Sequence, residues 1–184
     1  MRAPIGNFDE ARPAADCLDR LPSPVAAAVR SWGAAVPPEQ ALLVDSDPEK
    51  ADTAVFAEAY GPGLDEASAN CVVVAGKRGQ EVTLAACVVL STTRLDVNGV
   101  VRRHLGARKA SFAPMDTAVR ETGMEHGGIT PVGLPAGWPL LIDAAVVDKP
   151  HLVIGSGSRR GKLIVSGKVL AGLPGATVIE GLGQ

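Results

Sequence analysis

Residues 70–90 read NCVVVAGKRGQEVTLAACVVL. Two valine-rich runs flank the polar segment GKRGQ. That is a β-hairpin signal: β-branched residues suit a pleated, half-buried surface, and a polar stretch with glycine turns the chain. The neighbouring segments decide what the hairpin belongs to. Upstream, SPVAAAVRSW (23–32) places Val25, Val29 and Trp32 on one helical face, with Ser23 as the cap and Pro24 in the first turn. ALLVDS (41–46) reads as a short strand, and DPEKADTAVFAEAYG (47–61) as a helix ended by Gly61. Downstream, LDVNGVVRRHLG (95–106) aligns Val97, Val100, Val101 and Leu105 and stops at Gly106, and PMDTAVRETG (114–123) is again helical. PLLIDAAVV (139–147), HLVIGSG (151–157), KLIVSG (162–167) and ATVIEG (176–181) read as strands, with a helical turn at VLAGL (169–173). Helices and strands mix without a regular βαβ alternation. The expected fold is α+β, with a mixed, largely antiparallel sheet flanked by helices.

The bulk composition narrows the function classes. A chain of 184 residues fits one domain with a substantial core. Hydrophobic residues make up 46% and aromatics only 3%, so the core must be built from Val, Leu, Ala and Ile. A net charge of −2 argues against a broadly basic, non-specific DNA-binding surface, while leaving room for a local basic patch. Cys17, Cys71 and Cys87 show no CxxC spacing and an odd total, which argues against a disulfide framework and for a reducing compartment. The opening residues lack the apolar stretch of a signal peptide, and no run approaches a membrane span. A soluble cytoplasmic protein with no membrane partner is expected. Residues 1–22 are polar and broken by proline; they read as a loose arm, with a short helix at 14–21, ahead of one domain over 23–184.

Several chemical motifs fail on inspection. HLVIGSGSRRGK (151–162) suggests a phosphate loop, but Gly155 is one residue too early for the P-loop spacing and Leu163 follows Lys162. The dinucleotide pattern fails too, because Arg160 holds the third glycine position. A hairpin turn fits better. Its Arg159, Arg160 and Lys162 are either a plain solvated turn or a basic rim that meets a phosphate backbone. His104, His126 and His151 are scattered, so neither a metal nor a cofactor is expected. Cys71 and Cys87 lie in apolar runs, where an inert buried thiol is the default.

One loop carries more information. Residues 125–135 read EHGGITPVGLP. Gly127 and Gly128 let a ligand approach the backbone, and Pro131 holds Thr130 toward extended geometry. The amides of Gly127, Gly128, Ile129 and Thr130 can then point into a cleft, where they would bind a carbonyl or stabilise an oxyanion. A tight turn between helix and strand explains the same residues without a ligand.

The order TGMEHGGITPVGLP, PLLIDAAV, IGSGSRRGKLIVS resembles the YbaK/EbsC family of aminoacyl-tRNA deacylases, which includes the editing domain of bacterial prolyl-tRNA synthetase. The similarity runs from about Ala41 to Leu182. It implies a barrel-like central sheet and the hydrolysis of a mischarged aminoacyl-tRNA. The partner implied is the aminoacyl-tRNA 3′ end, with a synthetase as a further partner. By the same resemblance Gly127 through Pro131 hold the aminoacyl end. Ser156, Gly157 and Arg159 lie near the cleft, and Asp143 matches an acidic position. Arg108, Lys109, Arg160 and Lys162 are candidates for tRNA contact, as are Arg102 and Arg103, for which a solvated helix face is an equal reading. At the position of the family's lysine this chain has Asn70, which can hydrogen-bond but carries no charge. That departure leaves three readings: an active deacylase with a rearranged site, a slow deacylase, or a module that binds the aminoacyl or tRNA end without turnover.

Overall fold

A computed structural model describes residues 1–184. The elements, in chain order, are β1 (Ala11–Pro13), α1 (Ser23–Trp32), β2 (Ala41–Asp45), α2 (Thr53–Tyr60), β3 (Ala69–Arg78) and β4 (Glu81–Leu90). A π turn at Val97–Val101 then runs into α3 (Arg102–His104). There follow β5 (Lys109–Phe112), α4 (Met115–Thr122), β6 (Leu140–Asp143), α5 (Ala144–Val147), β7 (Leu152–Gly155), β8 (Gly161–Val165), α6 (Gly167–Ala171) and β9 (Ala176–Ile179).

The hairpin read from residues 70–90 is present. Arg78 pairs with Glu81, so the turn is Gly79–Gln80. Gly79 has φ +62° and Gln80 does not share a positive φ, which fits the two-residue turn with glycine first. The hairpin builds a five-stranded sheet in the order β5-β3-β4-β6-β9, in which β6 and β9 run parallel to their neighbours. A second, antiparallel sheet runs β1-β2-β8-β7. The expected α+β class with mixed pairing is thus observed, but the sheet does not close into a barrel. Two open sheets face each other and touch at the bridge between Ser68 and Val153.

Period-two alternation explains how the sheets stack. Ala41, Leu43, Leu163, Val165, Leu152 and Ile154 project from the four-stranded sheet into one core cluster. Ala86, Val88, Leu140 and Ile142 meet them from the five-stranded sheet, and Val25 and Val29 of α1 close one side. Each such fully buried Val, Leu or Ile contributes about 1.5–3 kcal/mol. The opposite face of the four-stranded sheet carries Leu42, Val44, Val153 and Ile164, which pack with Phe8 and Phe56.

Three expectations need correction. Residues 1–22 do not hang free. Ala11–Pro13 pair with β2, and Ala14, Cys17 and Leu21 join the main core. AAVV after β6 is helical, because the Asp143 carboxylate accepts from Ala145 N and starts a turn. Ser23 is the first residue of α1 rather than its cap, because Pro22 holds the cap position. β1 and β5, of three and four residues, are too short to show a pattern in sequence.

Candidate functional site

The loop 125–131 follows α4 and lies against the loop between β7 and β8. Gly157 N donates to the Gly128 carbonyl at 2.7 Å, and Glu125 N donates to the Gly157 carbonyl at 2.9 Å. Arg159 N donates to the Glu125 carboxylate at 2.9 Å. Glycine makes this approach possible. A Cβ on Gly128 would lie 2.7–2.9 Å from the Ser158 backbone, and one on Gly155 would lie 2.5 Å from the carbonyl oxygens of Gly128 and Ile129. Gly128 is therefore required by the contact between the two loops. Gly127, at φ +80°, is exposed, and a Cβ there would collide with the Arg159 guanidinium. That guanidinium donates to the Pro48 carbonyl at 2.8 Å, which ties the loop to the segment ahead of α2.

Beside this junction is a cavity of about 380 Å³. Asp52, Thr53 and Phe56 form one wall, Asn70 and Cys71 a second, and Phe112 and Met115 part of the rim. Gly127, Ile129, Gly155 and Lys162 complete it. The structure thus brings together Asn70, Gly127, Ile129 and Lys162. Of the four amides expected to face a cleft, two are already used. Gly128 N donates to the Glu125 carbonyl at 3.0 Å and Thr130 N to the Met124 sulfur at 3.4 Å. The amides of Gly127 and Ile129 bond no other backbone group.

Lys162, expected in an exposed turn either as a plain solvated residue or as part of a basic rim for tRNA, is only 9% exposed. Its Nζ donates to the Ala51 carbonyl at 3.3 Å and stands 5.3 Å from the centre of the Phe56 ring. Strand register is the reason. Lys162 pairs with Gly155 and with Val44, so it shares the sheet face of Val44 and of Ile164 two residues on. Counting by two from Ile164 in GKLIV is the sequence signal that places this lysine inside. Burial in the cavity holds its ammonium below the usual value of 10.5; Arg159 pushes the same way and Asp52 opposes.

The remaining expected residues are placed elsewhere. Asp143 is buried away from the cavity; its carboxylate accepts from Ala145 N at 3.2 Å and from Gly183 N at 2.8 Å. Ser156 Oγ donates to the Gly161 carbonyl at 2.8 Å inside the hairpin loop. Gly157 is packed against Pro22 and Val25. Thr130 and Pro131 are buried, and Thr130 Oγ1 has no hydrogen-bond partner. Arg108, Lys109 and Arg160 are exposed, and Lys109 pairs with Lys77 at the end of β5 away from Phe112. Burial pushes the Cys71 thiol far up and the Cys87 thiol up to about 12, so neither supplies a thiolate at neutral pH. Asp52, Phe56, Phe112 and Met115 line the cavity without any motif that links them in sequence, and His126 joins them from the loop motif itself.

The aminoacyl-tRNA editing domain family matches residues 47–173, which span every wall of this cavity. No curated protein matches the chain. Among solved structures, a candidate trans-editing enzyme for prolyl-tRNA synthetase aligns with a TM-score of 0.67 at 22% identity, over 88% of this chain and 98% of the other. A scaffold protein used for epitope backbone grafting aligns at 0.70 and 22% identity, over 89% and 97%. The hypothetical protein APE2540 aligns at 0.70 and 21%, over 85% and 99%. At these identities the likeness establishes the fold.

Proposed function

The chain belongs to the aminoacyl-tRNA editing domain family, and from that premise we propose that its cavity receives the aminoacyl end of a mischarged tRNA and hydrolyses the ester. The observation that carries the proposal is the pair of unbonded amides, Gly127 and Ile129, on the wall of a cavity that Asn70 also lines. Its volume lies in the range of about 300–1,000 Å³ found for small-molecule sites.

In this reading the amides hold the ester carbonyl. Water attacks the carbonyl carbon, and the π pair moves onto the oxygen as it becomes an oxyanion, which preorganised N–H donors stabilise. Collapse of the tetrahedral species re-forms the carbonyl and breaks its bond to the ribose oxygen. That oxygen takes up the proton the water gives up, and free amino acid and deacylated tRNA leave. Asn70 hydrogen-bonds the substrate at the cavity wall. Selection comes from the fit of the amino-acid side chain, for which one methylene is worth about 10–200-fold. The exposed Phe112 ring on the rim offers a stacking face for a terminal base, and Arg108, Lys109 and Arg160 offer charge to the phosphates beyond.

The test is a panel of mischarged tRNAs incubated with purified protein. Hydrolysis of at least one pair, above the spontaneous rate, is the expected result. Binding of the aminoacyl end with no turnover across the panel would replace the deacylase by a non-catalytic binding module.

A further inference from the structure

Lys162 is the only lysine or arginine among the buried residues. It takes part in none of the chain's four ion pairs. Its sheet face is otherwise apolar, made of Leu42, Val44, Val153 and Ile164. An ammonium has three donors, and only the Ala51 carbonyl receives one; the Phe56 ring adds a weaker attraction. Asp52 lines the same cavity and favours the charge but forms no ion pair with it, and burying an unpaired cation is costly. Here the cavity opens onto that cation, so an incoming acceptor can complete its shell.

Lys162 lines the same cavity as Gly127 and Ile129, whose amides bond no other backbone group. Its cross-strand partner Gly155 has no side chain and is covered by the carbonyls of Gly128 and Ile129. The Arg159 guanidinium nearby is engaged with the Pro48 carbonyl, and Asn70 is uncharged. We propose that Lys162 is the cation that holds the carbonyl oxygen of the bound aminoacyl ester as it becomes an oxyanion, a proposal that rests on the ester-hydrolysis reading above. The amides give that oxygen direction and Lys162 gives it charge. Charge matters most at the tetrahedral stage, so the effect falls on turnover more than on ground-state binding.

Lys162→Met keeps the apolar stem and removes the charge. Its kcat should fall about 100-fold, the loss typical of one oxyanion donor, with KM within about threefold of wild type. The wild-type rate should decline as pH rises through the depressed lysine pKa, and Lys162→Met should lack that limb. A second measurement needs no turnover: binding of a phosphonate analogue of aminoacyl-adenosine, whose anionic oxygen mimics the oxyanion, against a neutral amide analogue. Lys162→Met should lose about 30-fold for the phosphonate and less than about threefold for the amide. A kcat within threefold of wild type, or equal phosphonate affinity, overturns the proposal. If wild type binds the phosphonate through Lys162 but turns over no tRNA, the deacylase reading fails and the oxyanion site stands. If wild type binds neither analogue, the proposal fails.

Discussion

Thr130 and Lys162 are both buried polar residues, and they differ in what surrounds them. Thr130 Oγ1 has no partner and does not line the cavity. A buried hydroxyl without a hydrogen bond costs about 1–3 kcal/mol. Thr130→Val should therefore raise stability, by about 1 kcal/mol in equilibrium denaturation, while deacylation stays at the wild-type level; a lower midpoint would show that the hydroxyl has a partner. Lys162 faces the cavity, and its folded-state pKa lies below 10.5. Between that depressed value and 10.5 the unfolded chain binds more protons than the folded one. Stability should then rise with pH across that window and level off above it. Lys162→Met should flatten this rise and match or exceed wild-type stability at neutral pH, as read from thermal melts at a series of pH values. Identical slopes in the two proteins would contradict the burial of the charge. The two residues also mark how far a sequence can be read. Gly127, Ile129 and Asn70 are legible because a motif and its order point to them. Lys162 follows from strand alternation only once Gly161–Val165 is known to be a strand buried on both faces, and the aim of Thr130 is fixed by Met124 and the core, which no local pattern records.

At the scale of elements, the contact between the 125–131 loop and the β7–β8 loop is the feature that shapes the cavity. Gly155→Ala places a methyl carbon against the carbonyls of Gly128 and Ile129. Neither backbone has room, so overpacking should cost about 1–3 kcal/mol and displace the Ile129 amide. We expect kcat/KM to fall at least tenfold in this variant, and a rate equal to wild type would remove the loop from the site. Asp143→Ala is the contrasting case. It deletes the cap of α5 and the acceptor for Gly183 N. The expected loss is about 1–2 kcal/mol of stability with unchanged kcat and KM, since Asp143 does not line the cavity. Denaturation and steady-state kinetics on the same preparation separate the two outcomes. Long elements were readable for a physical reason: each strand of the 70–90 hairpin spans ten residues, enough for its composition and turn to agree. β5, with four residues, gains its identity from pairing with β3 and could not be read alone.

At the scale of the molecule, the N-terminal segment supports a cavity wall it does not line. Phe8 packs against Phe56 at 5.8 Å and against Tyr60 at 5.1 Å between ring centres, and Asn7 N donates to the Tyr60 carbonyl at 2.6 Å. The chain has six aromatic residues in all, three Phe, two Trp and one Tyr, and three of them meet here. Phe56 in turn lies under the Lys162 ammonium and lines the cavity. Composition alone made residues 1–22 look like an arm, because polar and proline-broken stretches rarely bury much surface. What it did not record is that Ala11 extends the four-stranded sheet beside Val44 and that Phe8 packs on its face with Leu42 and Val44. The consequence is a coupling between the start of the chain and the site. Phe8→Ala should destabilise the fold by about 3–5 kcal/mol, as other buried Phe→Ala changes do. At a temperature where the variant is still folded, loosening α2 should also raise KM for the aminoacyl end, because the wall that carries Phe56 has lost its backing. A variant with reduced stability but wild-type KM would mean that α2 holds its place through β2 and β8 alone, and that the N-terminal segment serves only the core.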